Sequence, residues 1–345
     1  MSELPKVFVA HPIPEVAIDR LKQVAEVEVF AGNHRDINVD ELETAVRRSD
    51  YVFCMHQTPV TESMVAANPN LKGYGVSHIS PEHHAVAACE AAGIKLLEGS
   101  NSDEIIDGNR RATADLMVAL ILCLAYRVID SDRYCRATGY FQEMTMDLMG
   151  QGCENRVVSL IGLGRVGRFA VPRLRSFGLT VLYTKRNRLS PEDEAALGVE
   201  WVDGMDELIA RGDFVSMLAN YEESNLKMMG RREFELMKPQ AYFVNVGRGR
   251  LVDEEAMTEV LEQGRIAGAG LEVFWNEPPV VQDAYIPKRL RKLDNVILQP
   301  HNGGATWDSR GRQTVAIAEA IIADIKARQG DANGAVQTGA SVSAG

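Results

Sequence analysis

The chain has 345 residues, of which 46% are hydrophobic and 25% are charged; this excludes a disordered or fibrous protein and leaves room for two domains. Asp and Glu total 48 against 37 Lys and Arg, and the net charge of −11 disfavours a nucleic-acid partner. The longest apolar run, near residues 116–126, is too short to span a membrane, and residues 1–6 lack the layout of a secretory signal. We therefore expect a cytoplasmic protein without membrane partners.

The cysteine and histidine pattern predicts neither a disulfide framework nor a metal site. The five cysteines are odd in number and form no C-x-x-C pair, so they are expected to be reduced thiols. The adjacent His83 and His84 stand at a predicted helix start and point in different directions, which is unsuitable for a shared metal ion.

Short β-branched runs alternate with helical stretches twice along the chain, a pattern that predicts βαβ units and parallel sheets. The main strands and helices predicted for the first series cover residues 6–10, 15–24, 27–30, 39–48, 51–55 and 71–76. The strands predicted for the second series cover residues 156–161, 180–183, 214–218, 242–245, 267–273 and 296–298. The predicted fold class is α/β, with two Rossmann-like parallel-sheet domains.

The predicted helices outside these two series indicate how the domains are connected. An apolar-rich helix over residues 112–128 lies between the series, and a last helix near residues 311–328 has no strand left to pair with in the second series. That last helix is expected to return to the first domain, so the first domain comprises residues 1–107 and 307–330. It is split by insertion of the second domain, residues 108–306. Residues 331–345, rich in Gly, Ala and Ser, are expected to form a mobile tail.

A glycine-rich turn, G-L-G-R-V-G over residues 162–167, joins the strand at 157–161 to a helix predicted at 169–177. In that context the first glycine permits a tight turn, the second lets the backbone approach a pyrophosphate, and the third lets the helix pack on the strand. The amino end of the helix offers N–H groups to anionic oxygens. The second domain is therefore predicted to bind a dinucleotide. The residues expected to do so here are Gly162, Gly164, Arg165, Val166 and Gly167.

The strand after this turn ends without the acid that NAD-binding domains carry about 20 residues on, where it holds the ribose 2′-hydroxyl. Thr184 stands there instead, and residues 168–191 contain no acid. The cations that follow it are Lys185, Arg186 and Arg188. Because cations attract a 2′-phosphate that a carboxylate would repel, the sequence predicts a preference for NADP(H), with NAD also possible.

Three further signals come at the ends of strands in the second series, at the sheet edge where open α/β folds bind ligands. Arg248 stands between two glycines in N-V-G-R-G-R-L-V-D, residues 245–253. Glu277 precedes two prolines, and His301 follows one and is itself followed by the small-residue turn at residues 303–306.

In this order the motifs resemble those of the D-2-hydroxyacid dehydrogenase family: a dinucleotide fingerprint, N-x-x-R-G-x-x-V-D, an acid-V-F-x-x-E-P element, and P-H before a small-residue turn. The resemblance runs from residue 6 to about residue 325, and L-Y-T-K-R at residues 182–186 is similar to the glyoxylate and hydroxypyruvate reductase branch. It implies a homodimer built through the nucleotide domain. It also implies further cofactor contacts at Asn220, Gly247, Glu272 and Gly303.

The resemblance assigns catalysis to Arg248, Glu277 and His301, and the chemistry of a keto-acid reduction agrees with these residue types. The carbonyl oxygen needs a proton from a group titrating near neutral pH, which suits His301. A neighbouring carboxylate favours the imidazolium, and the planar fork of Arg248 suits a substrate carboxylate.

The first domain departs from the family at the loop that binds substrate. Family members carry a glycine-containing turn there, whereas this chain has His78, Ile79, Ser80 and Pro81. A serine before a proline restricts the backbone, so a reshaped turn and an unusual substrate are expected. The residues considered for substrate binding are His56, His78, Ile79, Ser80 and Arg248; for His56 and His78 a purely structural role stays open.

Two other positions in the second domain also depart from the family. Glu272 replaces the usual Asp before the Glu-Pro element, and Asn-Tyr-Glu at residues 220–222 replaces a Pro-and-Thr element beside the adenosine. The sequence predicts an NADP(H)-preferring oxidoreductase that reduces a 2-keto acid to a D-2-hydroxy acid, or catalyses the reverse. The alternatives are a non-enzymatic protein of the same fold that senses dinucleotide, and a dehydrogenase of another small anion.

Overall fold

The computed structural model of the protein describes residues 3–32, 37–55, 58–77, 79, 84–99, 102–141, 146–277 and 286–339, the last nine of these by their backbone alone. Two compact units divide the chain: residues 1–106 with 307–345, and residues 107–306. Each unit contains one sheet whose neighbouring strands all pair in parallel. The predicted fold of two parallel-sheet α/β domains is therefore confirmed.

The sheet of the first unit has five strands in the order β2-β1-β3-β4-β5. The strands are β1 Lys6–Val9, β2 Glu26–Val29, β3 Tyr51–Phe53, β4 Gly73–Val76 and β5 Lys95–Glu98. The sheet of the second unit has seven strands in the order β12-β11-β10-β9-β6-β7-β8. Those strands are β6 Val157–Ile161, β7 Thr180–Thr184, β8 Glu200–Trp201, β9 Phe214–Met217, β10 Tyr242–Asn245, β11 Gly268–Leu271 and β12 Val296–Leu298.

Twelve helices of the described residues connect and cover these strands. They are α1 Glu15–Leu21, α2 Val39–Arg47, α3 Glu62–Ala67, α4 Val86–Ala92, α5 Asp103–Ala125, α6 Val128–Thr138, α7 Arg165–Ser176, α8 Pro191–Leu197, α9 Met205–Arg211, α10 Arg231–Leu236, α11 Glu254–Glu262 and α12 Trp307–Gly339. Among them no single helix is both long and apolar enough to cross a membrane; α5 and α6 meet the two conditions only together, as a pair bent by 57°.

The central strands consist largely of β-branched and aromatic residues because both faces of a parallel sheet are covered. In β6 the four residues Val158–Ile161 are buried, and Ser159, the one polar residue among them, donates its hydroxyl to the Leu208 carbonyl at 2.7 Å. β6 lies between β7 and β9, so the strand order reverses beside it. Open α/β sheets bind ligands at such a reversal, beyond the carboxyl ends of the strands.

Some elements differ from the sequence prediction in extent. β5 and the two-residue β8 were not predicted, because short strands at the edge of a sheet carry little pattern. Helix α12 continues to Gly339, whereas a mobile tail was predicted from residue 331. That segment contains no proline, so no residue in it removes a backbone N–H from a helix that has already begun.

Candidate functional site

His301 and Glu277 are joined by a hydrogen bond at the carboxyl edge of the second sheet. His301 follows β12 and Glu277 follows β11, and the histidine Nδ1 lies 2.9 Å from Glu277 Oε2. Since a carboxylate accepts, the ring donates from Nδ1 and Nε2 is left to meet a substrate. The side chains are 34% and 21% exposed, which keeps them within reach of a small molecule.

The Glu277 carboxylate is positioned by the loop that carries it. Its other oxygen, Oε1, accepts a hydrogen bond of 2.6 Å from the Phe274 N–H. The next N–H, of Trp275, donates to Glu254 Oε2 at 3.0 Å. Burial raises the pKa of Glu254 and the charge of Glu277 adds to the shift, although the bond from Trp275 opposes it. The loop from Phe274 to Glu277 is thus held by hydrogen bonds from two backbone N–H groups, one to the side chain of Glu277 and one to the side chain of Glu254.

The turn at His301 is tied to the neighbouring strand end through Glu272. His301 has a left-handed backbone with φ of +53°, and its N–H donates to the Glu272 carbonyl at 3.0 Å. The Glu272 carboxylate accepts from the N–H of Gly303, where an added Cβ would overlap it. Glu272 is only 2% exposed, and this burial raises the pKa of its carboxyl group. Glu272 therefore faces the turn that presents the imidazole.

Arg248 follows β10 in a turn that is shaped by a buried asparagine. Asn245, 2% exposed, accepts from the Gly247 N–H at 3.0 Å and donates its amide to the Arg248 carbonyl at 3.2 Å. At Gly249 an added Cβ would collide with the Phe274 carbonyl, so this turn lies directly against the loop that carries Glu277. The Arg248 side chain is exposed and donates to the Gly247 carbonyl at 2.8 Å.

Electrostatics favour a protonated imidazole at this site. The pKa of His301 is raised, first because Nδ1–H donates to Glu277, while burial of the ring opposes the shift. The negative charges of Glu277 and Glu272 raise the pKa further, and the positive charge of Arg248 lowers it. The charges of Glu277 and Arg248 therefore both act on His301, and the arrangement can donate a proton near a guanidinium that is suited to binding an anion.

The turn at residues 162–167 has the shape of a pyrophosphate cradle. Gly162 has φ of +94°, donates to the Thr184 carbonyl at 2.9 Å, and lies so close to Ala219 that an added Cβ would be 2.7 Å from its nitrogen. At Gly164 no described atom lies within 4 Å of an added Cβ. Gly164 is the N-cap residue of α7, and no side chain caps the N–H groups at this end of the helix. Open space and unfilled N–H groups at the start of a helix fit a dinucleotide.

The other residues of the fingerprint support the turn from its sides. At Gly167 an added Cβ would lie 2.7 Å from Leu163 Cδ1, which agrees with close packing of α7. Val166 packs partly buried against the core of this unit. Arg165 is the first residue of α7, and its Nη1 lies 3.2 Å from Asp107 Oδ1 on α5.

The three cations after β7 have different surroundings. Lys185 Nζ donates to the Leu163 carbonyl at 3.3 Å, and Arg186 forms an ion pair with Glu222 at 2.6 Å. Arg188 makes a two-pronged pair with Glu194, at 2.8 and 2.9 Å. Lys185 and Arg186 thus flank the cradle and the loop after β9, whereas Arg188 is engaged with α8.

The remaining predicted residues are only partly described. His56, His78 and Ser80 lie outside the described residues, and Ile79, in the first unit, donates its N–H to Glu98 Oε1 at 3.0 Å. Asn220 accepts at its carbonyl a bond of 2.8 Å from the Asn225 side chain.

Sequence reasoning missed four residues that position the predicted ones. The N-x-x-R spacing contained a signal for Asn245, which shapes the Arg248 turn. The other three are far in sequence from the groups they contact, so no local pattern indicated these contacts, although Glu222 lies in the segment that departs from the family. They are Asp107, Glu222 and Glu254.

Comparison with known proteins agrees with this geometry. The model of the D-isomer specific 2-hydroxyacid dehydrogenase family, NAD-binding domain, matches residues 118–303. A Staphylococcus aureus protein that carries the name of a 2-hydroxyacid dehydrogenase is 31% identical over 93% of this chain and 96% of its own. Among solved structures, a Polaromonas protein described as a D-isomer specific 2-hydroxyacid dehydrogenase has a TM-score of 0.79 at 26% identity, covering 93% of this chain and 96% of its own. An NADPH-dependent glyoxylate/hydroxypyruvate reductase of Sinorhizobium meliloti shares the fold, with a TM-score of 0.67 at 23% identity over 91% and 92% of the chains.

Proposed function

The chain belongs to the D-isomer specific 2-hydroxyacid dehydrogenase family, an NAD(P)-dependent group of oxidoreductases. On this premise we propose that it reduces a 2-keto acid to a D-2-hydroxy acid, or catalyses the reverse reaction. We also propose that it prefers NADP(H). The observation that carries the proposal is the bond of 2.9 Å between His301 and Glu277, beside Arg248. This set combines a proton donor with a binder of carboxylates, which is what the reduction of a keto acid needs.

In the proposed reaction each of these side chains has one task. A nicotinamide cofactor held at residues 162–167 would provide the hydride that the substrate's carbonyl carbon gains, or would accept that hydride in the reverse direction. Arg248 binds the substrate carboxylate through its planar fork and draws charge from the carbonyl. His301 gives its proton to the carbonyl oxygen, so carbon and oxygen each gain one hydrogen; in reverse, neutral His301 accepts the hydroxyl proton. Glu277 orients the ring through Nδ1 and stabilises its charge.

Cofactor binding is proposed for the cradle and the loops beside it. Residues 162–167 would hold the pyrophosphate, and Lys185 and Arg186 would face a 2′-phosphate. The absence of a carboxylate after β7 supports a preference for NADP(H). Arg188 is less suited to this role because its guanidinium already forms a bidentate ion pair with Glu194. Glu272 would act on a cofactor only through the turn that it holds, since its carboxylate faces Gly303.

We also propose that the protein is a homodimer built through the nucleotide-binding unit. Several large apolar side chains in the segments before and after α6 are exposed, and apolar surface that clusters is typical of an interface. Sedimentation of the purified chain tests this, and a monomer at micromolar concentration would contradict it. The exposed residues are Tyr126, Val128, Tyr140, Phe141, Met146 and Met149.

The experiment that tests the proposed activity follows the absorbance of NADPH or NADH with a panel of 2-keto acids. Wild type is expected to oxidise NADPH with at least one of them, and His301→Ala to lose that turnover. Arg248→Ala is compared with Arg250→Ala. Arg250 belongs to the same turn, but its guanidinium lies over the rings of Tyr221 and Trp275. Only the first is expected to raise KM and lower kcat.

The outcome also separates the alternatives. Dinucleotide binding without turnover of any keto acid would favour a dinucleotide-sensing protein of the same fold. Turnover of another small anion, but of no keto acid, would favour a dehydrogenase of that anion. Equal losses in Arg248→Ala and Arg250→Ala would contradict the role given to Arg248.

A further inference from the structure

An ion pair joins the two loops on either side of the glycine-rich turn. Because β6 lies between β7 and β9, the loops after those strands flank the cradle at residues 162–167. Arg186 comes from the loop after β7 and Glu222 from the loop after β9, and Arg186 Nη2 lies 2.6 Å from Glu222 Oε2. The pair therefore lies at the sheet edge where the strand order reverses.

Glu222 is presented by a structured turn. Its N–H donates to Asn225 Oδ1 at 2.8 Å, and the Asn225 amide donates to the Asn220 carbonyl at 2.8 Å. Residues 223–225 form one turn of 3-10 helix, with Glu222 at its amino end. The position of this carboxylate is thus set by its own loop as well as by Arg186.

The carboxylate is ionised at neutral pH. The hydrogen bond from Arg186 lowers the pKa of Glu222, and the positive charge of Arg186 adds to that shift. Both side chains remain open to solvent, with 72% of Arg186 and 49% of Glu222 exposed. An anion arriving from solution can therefore reach Arg186, but it must replace a carboxylate that stays nearby.

We infer that Glu222 is a specificity-determining residue, whose carboxylate competes with the cofactor's 2′-phosphate for Arg186 and so restrains the preference for NADP(H). The inference rests on the proposed function, in which Arg186 faces that phosphate. Glu222 places a negative charge near the ribose from the loop after β9, although the usual acid after β7 is missing. Binding of NAD(H) does not require this ion pair to open, so the carboxylate penalises the two cofactors unequally.

The test measures the dissociation constants of NADPH and NADH by calorimetry on the full chain, with wild type and Glu222→Gln. Glutamine keeps the shape and the hydrogen-bonding length of the side chain and removes its charge. We expect NADPH to bind about fivefold more tightly, the scale of one exposed ion pair, and NADH to change less than about twofold. The gain should shrink at high salt because the groups are exposed.

Two further variants show whether the effect runs through Arg186. Glu223→Gln is the matched control, since Glu223 accepts from the Tyr221 hydroxyl at 2.6 Å and is adjacent in the same loop. It should leave the ratio of the two constants unchanged. In an Arg186→Gln background, Glu222→Gln should improve NADPH binding by less than about half as much as in wild type, because the two side chains are coupled.

An unchanged ratio in Glu222→Gln, or an equal gain for NADPH and NADH, would overturn the inference. So would the same gain with and without Arg186. These outcomes are distinct from failure of the proposed cofactor preference, which is decided by the wild-type ratio alone. A wild type that favours NADH while Glu222→Gln shifts the ratio toward NADPH would contradict that preference and support the inference.

Discussion

At the scale of single residues, the proton chemistry depends on opposing influences on His301. Partial burial of the ring disfavours its charged form, and the bond from Nδ1 to Glu277 favours it by more. Negative charge on Glu272, which follows β11 and is bonded to the turn that presents the ring, raises the pKa of His301 further. The result is an imidazole that stays protonated to higher pH than an ordinary histidine, which is suited to protonating a carbonyl oxygen.

A change at Glu277 should therefore move the pH profile of reduction. A proton donor works below its pKa, and its activity is lost as the pH rises through that pKa. Glu277→Gln removes the charge that raises the pKa of His301, so the alkaline loss of kcat/KM should move to lower pH. The measurement is the initial rate against pH at fixed NADPH. An alkaline limb at the wild-type pH would contradict the pairing.

The control for this prediction is Glu207→Gln on α9. Glu207 also pairs with a cation, Arg211 at 3.3 Å, but its side chain is 63% exposed and belongs to another part of the unit. Its profile should overlie that of wild type. A shared shift would indicate a general effect of net charge instead.

At the scale of elements, α12 is attached to the first sheet by an apolar stripe and one buried acid. Ile317, Ile321 and Ile325 recur every four residues and are buried in the core of the first unit. Asp324 is 6% exposed and accepts from the Tyr51 hydroxyl at 2.8 Å, among other donors. The chain end thereby completes a domain that the chain start began.

Removing this acid should destabilise the first unit. Asp324→Ala leaves the buried Tyr51 hydroxyl without its acceptor, whereas Lys95 and Arg328 are 56% and 38% exposed and keep contact with water. We expect a loss of about 2 kcal/mol in the free energy of unfolding, measured in urea. Glu319→Ala, also on α12, breaks an exposed pair with Arg20 of α1 and should cost less than about 1 kcal/mol.

The contribution of Asp324 should also depend on pH in a defined direction. Burial raises the pKa of Asp324, but bonds from Lys95, Arg328 and Tyr51 outweigh it, so the pKa lies below its ordinary value. The stabilisation is therefore complete above the unfolded pKa and is lost as the pH falls through the folded one. Equal stability of Asp324→Ala and wild type at neutral pH would contradict this account.

At the scale of the whole molecule, each unit has cores of its own. Buried side chains cover both faces of the five-stranded sheet in the first unit and of the seven-stranded sheet in the second. The nucleotide cradle and the residues Arg248, Glu277 and His301 all belong to the second unit, residues 107–306. Nucleotide binding should thus depend on the stability of that unit.

A core substitution in each unit tests this separation. Ile321→Ala, at a fully buried position of the first unit, should cost about 2–5 kcal/mol and increase hydrogen exchange in β1–β5. The dissociation constant of NADPH should stay within about twofold of wild type. Leu160→Ala, buried in β6, should increase exchange in the second sheet and weaken NADPH binding. Equal exchange increases in both sheets for Ile321→Ala would contradict independent cores.

Local chemistry in the sequence was enough to predict the class of fold and the family. Strand–helix alternation reflects burial on both faces of a sheet. A glycine-rich turn between a strand and a helix leaves the backbone of that turn few conformations. The motifs around Arg248, Glu277 and His301 are contiguous runs, so their residue types and order were visible. The family prediction made from them is confirmed by the comparisons.

Tertiary structure decided the pairings between residues far apart in the chain. Arg186 and Glu222, or Trp275 and Glu254, come together only because neighbouring strands end at one edge of the sheet. The sequence listed Arg188 with Lys185 and Arg186 as equal cations, and only the folded chain engages it with Glu194. Composition and order determine which chemistry is present, whereas the distances and burial that tune each charge arise when the strands align.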